Sequence, residues 1–306
     1  MRQQFFICPR CRTELERTDP VRLACPKDGL EFRNVDSIWR FLLPENEAHY
    51  VRFIKDYESV RSSEGRGSTD AAYYRALPFK DLSRSFSADW AIRARSFNAL
   101  IKHVITSLQD RFQRSLKILD LGAGNGWLSN RLAFEGNRVF AVDLLVNAQD
   151  GLGAWKYYEH TFIPIQAEFN HLPLLDHFAD TVIFNASFHY SEDYTETLKE
   201  ALRVLSPQGQ VVVMDSPVYR RSASGEKMVE ERKTDYLARY GFASDSLQSE
   251  NFLTYRRMRE LGKSHGVRWR HIRPFYGLRW TLRPLFAFLR RGREPAQFGL
   301  WVGQIK

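Results

Sequence analysis

The stretch ILDLGAGNGWLSNRLA, Ile118 to Ala133, decides the fold. An apolar run that begins at Leu116 contains Asp120, three glycines follow at Gly122, Gly124 and Gly126, and a helix opens with Trp127, Leu128 and Leu132 on one face. Strand, tight turn and helix in that order open a doubly wound α/β sheet. In such sheets ligands sit outside the carboxyl ends of the strands, and glycine lets the backbone turn sharply and come close to them. A nucleoside-like ligand is therefore expected. The dinucleotide fingerprint G-x-G-x-x-G would need its third glycine at position 127, which is Trp127, so a pyrophosphate ligand is disfavoured.

Working outward, LKILDL, RVFAV, TFIPI, TVIFN and QVVVM read as buried parallel strands between Leu116 and Asp215, with crossover helices between them. Beyond Asp215 follow a polar helical stretch, a helix around Phe252 to Ser264, a strand near VRWRHIR, a second short helix and a last strand near FGLWVGQ. Asp143 ends the second strand, roughly twenty residues past the glycine loop, where a carboxylate can accept from both hydroxyls of a ribose. Glu168 follows the third strand, where a carboxylate can accept from the exocyclic amine of adenine. Taken singly, each acid also reads as a helix cap or a surface charge.

The run Asp120-Leu121-Gly122-Ala123-Gly124-Asn125-Gly126, with Asp143 after it, resembles the D-x-G-x-G-x-G loop and ribose-binding acid of class I S-adenosylmethionine-dependent methyltransferases. Glu168-Phe169-Asn170-His171-Leu172-Pro173-Leu174 is similar to that family's D-A-x-x-L-P-F adenine loop, with Glu168 for the aspartate and Phe169 for the small residue. TVIFNASFHY and ALRVLSPQGQVVVMDS extend the resemblance to Ser216. It implies a Rossmann-like sheet, S-adenosylmethionine as cofactor, and a cofactor-binding set of Asp120, Gly122, Ala123, Gly124, Asn125, Gly126, Asp143, Leu144, Glu168, Phe169 and Asn185. Methyl transfer from a sulfonium is an in-line displacement with a neutral leaving group, so alignment alone can supply roughly 7 to 11 kcal/mol. A general base is needed only where the acceptor must lose a proton. The catalytic candidates are His189 and Tyr190 after the fourth strand and Asp215 and Tyr219 after the fifth. His189 titrates nearest neutrality, but a histidine beside aromatics in a crossover loop is more often a packing or hydrogen-bonding residue. Asn185 lacks the Pro-Pro-Tyr/Trp neighbours of the amino-directed DNA methyltransferases.

All three cysteines lie before residue 26. FICPRC and, after it, ACPKDG resemble the two knuckles of a zinc ribbon, with Cys8, Cys11 and Cys25 as thiolates and Asp28 where the fourth cysteine belongs. Two readings stand side by side: a three-cysteine, one-aspartate zinc site, or a ribbon in which Asp28-Gly29 only turns the hairpin. A ribbon ahead of such a domain resembles the bacterial rRNA guanine-N1 methyltransferases, where the ribbon helps recognise RNA.

The 306 residues are 43% hydrophobic and 14% aromatic, which argues against disorder. No apolar run approaches the ~18 residues of a membrane span, the start MRQQFFICPR reads as neither signal peptide nor anchor, and the cysteine usage suits the reducing cytoplasm. Three segments are expected: a ribbon-like β module over 1–44, a helical lid over 45–108, and the catalytic domain over 109–306 with insertions after 216 and 274. In the lid, Trp90, Ala94, Phe97, Ile101, Val104 and Leu108 recur at helical spacing behind candidate N-caps Ser87 and Asp89, so that face should pack on a core. The net charge is +9, and Tyr255 to Arg293 holds eleven arginines and one lysine against Glu260 alone. That bias favours an anionic partner or serves only solubility. The expected function is methyl transfer to a small or medium-sized molecule. Tyr73, Tyr74, Phe252, Tyr255, Trp269, Phe275 and Tyr276 are candidates for an apolar acceptor pocket or for core. RNA methylation is the alternative, and a non-catalytic cofactor-binding protein the third. GLRWTLRPLFAFLRRGR, basic and amphipathic, suits either peripheral membrane contact or burial against the sheet edge.

Overall fold

The computed structural model describes residues 5–243, 245–290 and 292–305. Four short strands come first: β1 (Glu16–Asp19), β2 (Arg22–Ala24), β3 (Glu31–Val35) and β4 (Ile38–Arg40). Helices α1 (Pro44–Ser63), α2 (Ala71–Ala76) and α3 (Ser87–Leu100) follow, and α3 passes through a π turn at Ile101–Ile105 into α4 (Thr106–Phe112). The central unit is β5 (Lys117–Leu121), α5 (Trp127–Phe134), β6 (Arg138–Asp143), β7 (Ile163–Gln166), β8 (Ala179–Asn185), α6 (Tyr194–Val204) and β9 (Leu205–Met214). The chain ends with β10 (Val218–Tyr219), α7 (Ser222–Tyr240), β11 (Leu253–Thr254), α8 (Tyr255–Ser264), β12 (Val267–Ile272), α9 (Leu278–Leu289) and β13 (Leu300–Ile305).

Eleven strands form one sheet in the order β1-β2-β3-β4-β7-β6-β5-β8-β9-β13-β12. From β4 to β9 every pairing is parallel, and β13 enters antiparallel between β9 and β12. The order runs one way from β5 through β6 to β7 and the other way through β8 to β9, so the switch point that opens a crevice lies at the end of β5. Side chains alternate along each strand. Leu119, Leu121, Phe140 and Val142 face one core with α6 and the amino-terminal segment, while Ile118, Val139 and Ala141 face the other with α3 to α5.

The amino-terminal strands extend this same sheet. Trp39 lies opposite Ile165 and Arg40 opposite Gln166, and Cys8, Cys25, Phe32 and Phe41 share one core with Phe140. The stripe on the long helix packs as its spacing predicts: Trp90, Phe97, Val104 and Leu108 are buried, with Ala94 and Ile101 half-buried. Its cap differs from expectation. Ser87 and Asp89 sit inside the first turn, and the fixing carboxylate is Asp81, which accepts from the Phe86 N–H at 2.7 Å and the Ser87 hydroxyl at 3.2 Å. A residue six positions upstream of Ser87 reaches it only because the intervening turn folds back. Burial against the sheet edge is also corrected for GLRWTLRPLFAFLRRGR: α9 has no buried residue. No helix among the described residues is long and apolar enough to cross a membrane.

Candidate active site

The floor of the crevice is the β5–α5 loop. Gly122 and Ala123 donate their backbone N–H groups to the Val142 carbonyl at 2.8 and 3.0 Å, which ties the loop down onto β6. Gly122 has φ +75° and would place a Cβ 2.2 Å from that of Ser187, so the loop and the segment after β8 touch backbone to side chain. Gly126, at φ +78°, would set a Cβ 2.5 Å from the Phe162 ring and caps α5 in the left-handed region. Two of the three glycines thus serve close packing. Gly124 serves the site: its N–H donates to Asp143 Oδ2 at 2.7 Å, and the Leu145 N–H donates to Oδ1 at 2.8 Å. Two amide donors leave a carboxylate with lone pairs to spare. Burial pushes Asp143 up to about 6, with the Leu145 and Gly124 amides acting against it.

Asp120 lies beneath this loop, fully buried, with Oδ2 accepting from the Ser129 hydroxyl at 2.7 Å and Oδ1 unpartnered. Burial pushes its carboxyl up to about 7. At the end of β8, Asn185 Oδ1 is likewise buried without a partner. Orphaned acceptors of this kind are rare in a finished fold and call for an explanation.

The crevice encloses about 1160 Å³, its open mouth included. Nine residues of the expected cofactor set line it: Gly122, Ala123, Gly124, Asn125, Asp143, Leu144, Glu168, Phe169 and Asn185. Asp120 and Gly126 are not on its wall. Glu168 is engaged otherwise than expected. Its Oε1 accepts from Asn46 Nδ2 and lies 3.1 Å from His171 Nδ1, and its Oε2 accepts from the Tyr50 hydroxyl at 2.9 Å. Burial pushes this carboxyl up, but the bonds from His171, Asn46 and Tyr50 outweigh it and hold the group below the usual glutamate range. In this structure Glu168 therefore fastens α1 to the core.

Helix α1 roofs the crevice with Tyr50, Phe53, Tyr57 and Arg61, and α3 adds Trp90 and Arg93. Arg61 forms a two-pronged ion pair with Asp150, Nη2 to Oδ1 being 2.8 Å. Trp90 meets Trp127 edge-on, the centroids 5.8 Å apart. The sequence reading gave the Trp90 stripe to packing alone and missed the α1 residues. The signal was there: positions 50, 53, 57 and 61 recur on one helix face.

Of the four catalytic candidates only Tyr190 lines the crevice, edge-on to Tyr57 at 6.1 Å between centroids. His189 is buried behind it, its Nδ1 3.2 Å from the Ser216 hydroxyl, and burial together with Arg232 and Arg93 pushes it down to about 3. It is neutral at physiological pH. Asp215 accepts from Ser96 at 2.6 Å and is raised to about 6 by burial. Tyr219 packs on Phe252 and accepts from Arg293 at 3.3 Å. The seven aromatics that could serve an acceptor pocket or the core lie outside this crevice. Tyr73, Tyr74, Phe252 and Tyr276 are buried, Tyr255 and Trp269 pack against a core, and Phe275 is exposed.

At the amino terminus Cys8, Cys11, Cys25 and Asp28 offer donor atoms that all lie within 4.8 Å of one another. Cys8 Sγ is 3.3 Å from Asp28 Oδ2, and Cys11 Sγ is 3.5 Å from Cys25 Sγ. Thiolates bound to zinc at ~2.3 Å in a tetrahedron stand ~3.8 Å apart, so the set fits that ion. The cluster leans on the crevice. The Ile7 N–H donates to the Pro173 carbonyl at 3.1 Å, in the loop that carries Glu168, and Arg10 pairs with Glu45 in the first turn of α1.

Residues 119–213 match the family model described as a methyltransferase domain. Malonyl-[acyl-carrier protein] O-methyltransferase of Buchnera aphidicola is 32% identical over 102 residues, 32% of this chain and 38% of that protein. The enzyme of the same name from Erwinia pyrifoliae is 27% identical over 141 residues, 45% of this chain and 49% of that protein. The chain thus spans less than half the length of these curated relatives. A solved S-adenosylmethionine-dependent methyltransferase of Mesorhizobium loti superposes with a TM-score of 0.46 at 22% identity, covering 62% of this chain and 90% of that one. Residues 119–213, the glycine loop included, thus match a methyltransferase domain and lie on a Rossmann-like, mostly parallel sheet.

Proposed function

We propose that this methyltransferase domain transfers the methyl group of S-adenosylmethionine to a small or medium-sized acceptor held under α1. The single observation that carries the reading is the conjunction at the end of β5: a carboxylate with free lone pairs at Asp143, the Gly122–Asn125 backbone beside it, and an unpartnered Asn185 acceptor across the crevice. A ribose with both hydroxyls free satisfies Asp143, and a cationic amino group satisfies Asn185. Phe169, over Gly122, offers a flat apolar surface for a base. The bound cofactor supplies an electrophilic methyl on a positively charged sulfur; the chain itself binds, orients and keeps out water.

The roof supports the acceptor class. Tyr50, Phe53, Tyr57 and Trp90 give a planar, apolar wall, and Arg93 brings one cation to it. The two relatives are named for methylating malonyl-[acyl-carrier protein], and the part shared with them supports the transfer chemistry, whereas the roof governs the acceptor. Tyr190 is the candidate nearest to where an acceptor would lie. His189, Asp215 and Tyr219 lie off the crevice wall. RNA recognition keeps the arginine-rich carboxyl-terminal segment as its support, but a crevice roofed by a helix favours a small molecule. Zinc at Cys8, Cys11, Cys25 and Asp28 would be structural, bracing the Glu168 loop, and three free cysteines suit the reducing cytoplasm.

The test is calorimetric titration with S-adenosylmethionine, with its demethylated product and with NAD. Binding of the first two and not of NAD is expected, and Asp143→Ala should weaken both by ~1 to 3 kcal/mol, about 5- to 150-fold. Binding of NAD alone, or unchanged affinity in the variant, overturns the reading. Release of the demethylated product on adding a small-metabolite extract then separates an enzyme from a protein that only binds the cofactor.

A further inference from the structure

The large apolar side chains left in solvent are unevenly spread. Of the fifteen exposed among the described residues, seven lie between Phe275 and Leu289. Five of them, Leu278, Leu282, Leu285, Phe286 and Leu289, are 42 to 73% exposed. At 3.6 residues per turn they fall within an arc of about 100° on α9. The opposite side of that helix is the one that packs. Trp280 lies against Tyr276 and Phe298 with centroids 5.2 and 5.1 Å away, and Arg283 stacks on Trp280 while donating to the Ala296 carbonyl at 2.6 Å. The root of the helix is pinned as well: Arg95 donates to the Tyr276 carbonyl, and the Tyr276 hydroxyl is 2.8 Å from that of Ser96. A helix fixed on one side and leucine-lined on the other keeps its apolar stripe outward by construction.

The acids near the stripe are already paired, Glu294 with Arg220 and Glu231 with Arg293, so the charge left over is positive. Arg279 and Arg290 flank it and form no ion pair among the described residues, and α9 contains no acid. Next to it an open groove of about 1630 Å³ has Phe275, Trp280, Pro284 and Phe288 in its lining and arginines such as Arg221 and Arg273 beside them. Contiguous exposed apolar surface of this kind marks an interaction site. Three kinds of partner can be weighed. A second copy would bring two arginine-flanked stripes together with no acid on either helix. RNA would meet a stripe of four leucines, which neither stack nor hydrogen-bond, with Phe286 as its one aromatic. A lipid surface with anionic headgroups takes both features at once, leucines into the acyl boundary and guanidinium groups among the phosphates.

We propose that α9 lies in the plane of an anionic membrane surface and seats the protein there reversibly, its leucine stripe inserted and Arg279 and Arg290 on headgroup phosphates. This is independent of the methyl-transfer reading, since none of these residues lines the crevice.

The experiment is co-sedimentation of the full chain with vesicles of neutral phosphatidylcholine and with vesicles containing about 30% anionic lipid, at about 100 mM salt. Anionic vesicles should retain the protein about tenfold more strongly than neutral ones. Leu285→Glu with Phe286→Glu should abolish retention, and Arg279→Gln with Arg290→Gln should reduce it by about tenfold. Both variants should keep the melting temperature and cofactor affinity of the parent. If the first variant fails to fold, the second decides. Failure to sediment with either vesicle, equal retention on neutral lipid, or retention that survives the substitutions overturns the proposal. So does a dimer, seen by light scattering without lipid, that the glutamate variant dissociates, because the stripe would then belong to a second copy.

Discussion

The floor and the roof of the crevice are built by opposite means. The floor, from Asp120 to Gly126, is held by close packing: Leu119 and Leu121 are fully buried below it, Ser187 presses on Gly122 and Phe162 on Gly126. The roof, α1, has one buried residue, Val60. Polar contacts hold it instead: Asn46 and Tyr50 on Glu168, Arg61 on Asp150, Glu58 on Asn147 at 2.9 Å and His49 on Glu192 at 2.6 Å. Packing is stiff and intolerant of volume, whereas each polar contact contributes little and exchanges readily with water. A ligand that must enter and leave needs a rigid seat and a cover that opens. The two constructions suit those two tasks.

The comparison breaks most decisively at Gly122. Valine there must place a Cβ 2.2 Å from that of Ser187 at φ +75°. Overpacking and left-handed strain together should cost ~2 to 5 kcal/mol and abolish cofactor binding. A variant that melts and titrates like the parent would show that the floor is not rigid. The next largest effect concerns Asp120, whose carboxyl is raised by burial from an ordinary 3.8 to about 7. Between these values the folded chain holds a proton that the unfolded chain has released, so stability from this group is full below about pH 4 and is lost as pH rises through 7. At roughly 1.4 kcal/mol per unit, Asp120→Asn should match the parent near pH 4 and exceed it by a few kcal/mol near pH 8 in the cofactor-free state. Denaturation curves at both pH values check this. A constant difference between the two proteins would remove the buried carboxylate from the account of the floor.

The same contrast governs how much could be read from the sequence. The floor was legible because close packing and ligand approach restrict residue type at fixed spacing: glycine where a Cβ would collide, an acid at the end of β6, apolar runs for strands with both faces covered. The edge of the sheet was legible only in part. Cys8, Cys11, Cys25 and Asp28 do converge, yet that their strands would continue the main sheet through Trp39 and Ile165 depends on pairing across more than a hundred residues, for which one strand carries no local mark. The roof was the least legible. Glu168 obeys the adenine-loop pattern and still spends both oxygens on α1, because a carboxylate's partner is set by what lies nearest in space. His189 shows the same dependence on surroundings. Its ordinary pKa suggests a base, whereas burial lowers that pKa to about 3, and the residue is not on the crevice wall.

The roof should yield the smallest effect, and it sharpens the comparison by its kind. Arg61 pairs with Asp150 through both prongs of its guanidinium, the two side chains being 23% and 10% exposed. Arg61→Ala removes a charge-assisted pair and leaves the Asp150 carboxylate without its cation. A loss of ~1 to 2 kcal/mol would follow if α1 unfolded together with the core, or ~2 to 4 °C in melting temperature for a domain of this size. If the roof opens on its own, the loss falls on α1 alone. The global melt should then move little, while amide exchange in 44–63 accelerates about tenfold with β5 and β6 unaffected. Both the association and the dissociation of S-adenosylmethionine should quicken, leaving the equilibrium constant nearly where it was, because a cover changes passage more than it changes the seat. Acceleration of exchange in β5 as well would mean that roof and floor are one cooperative unit, held by packing that the contacts of α1 do not reveal.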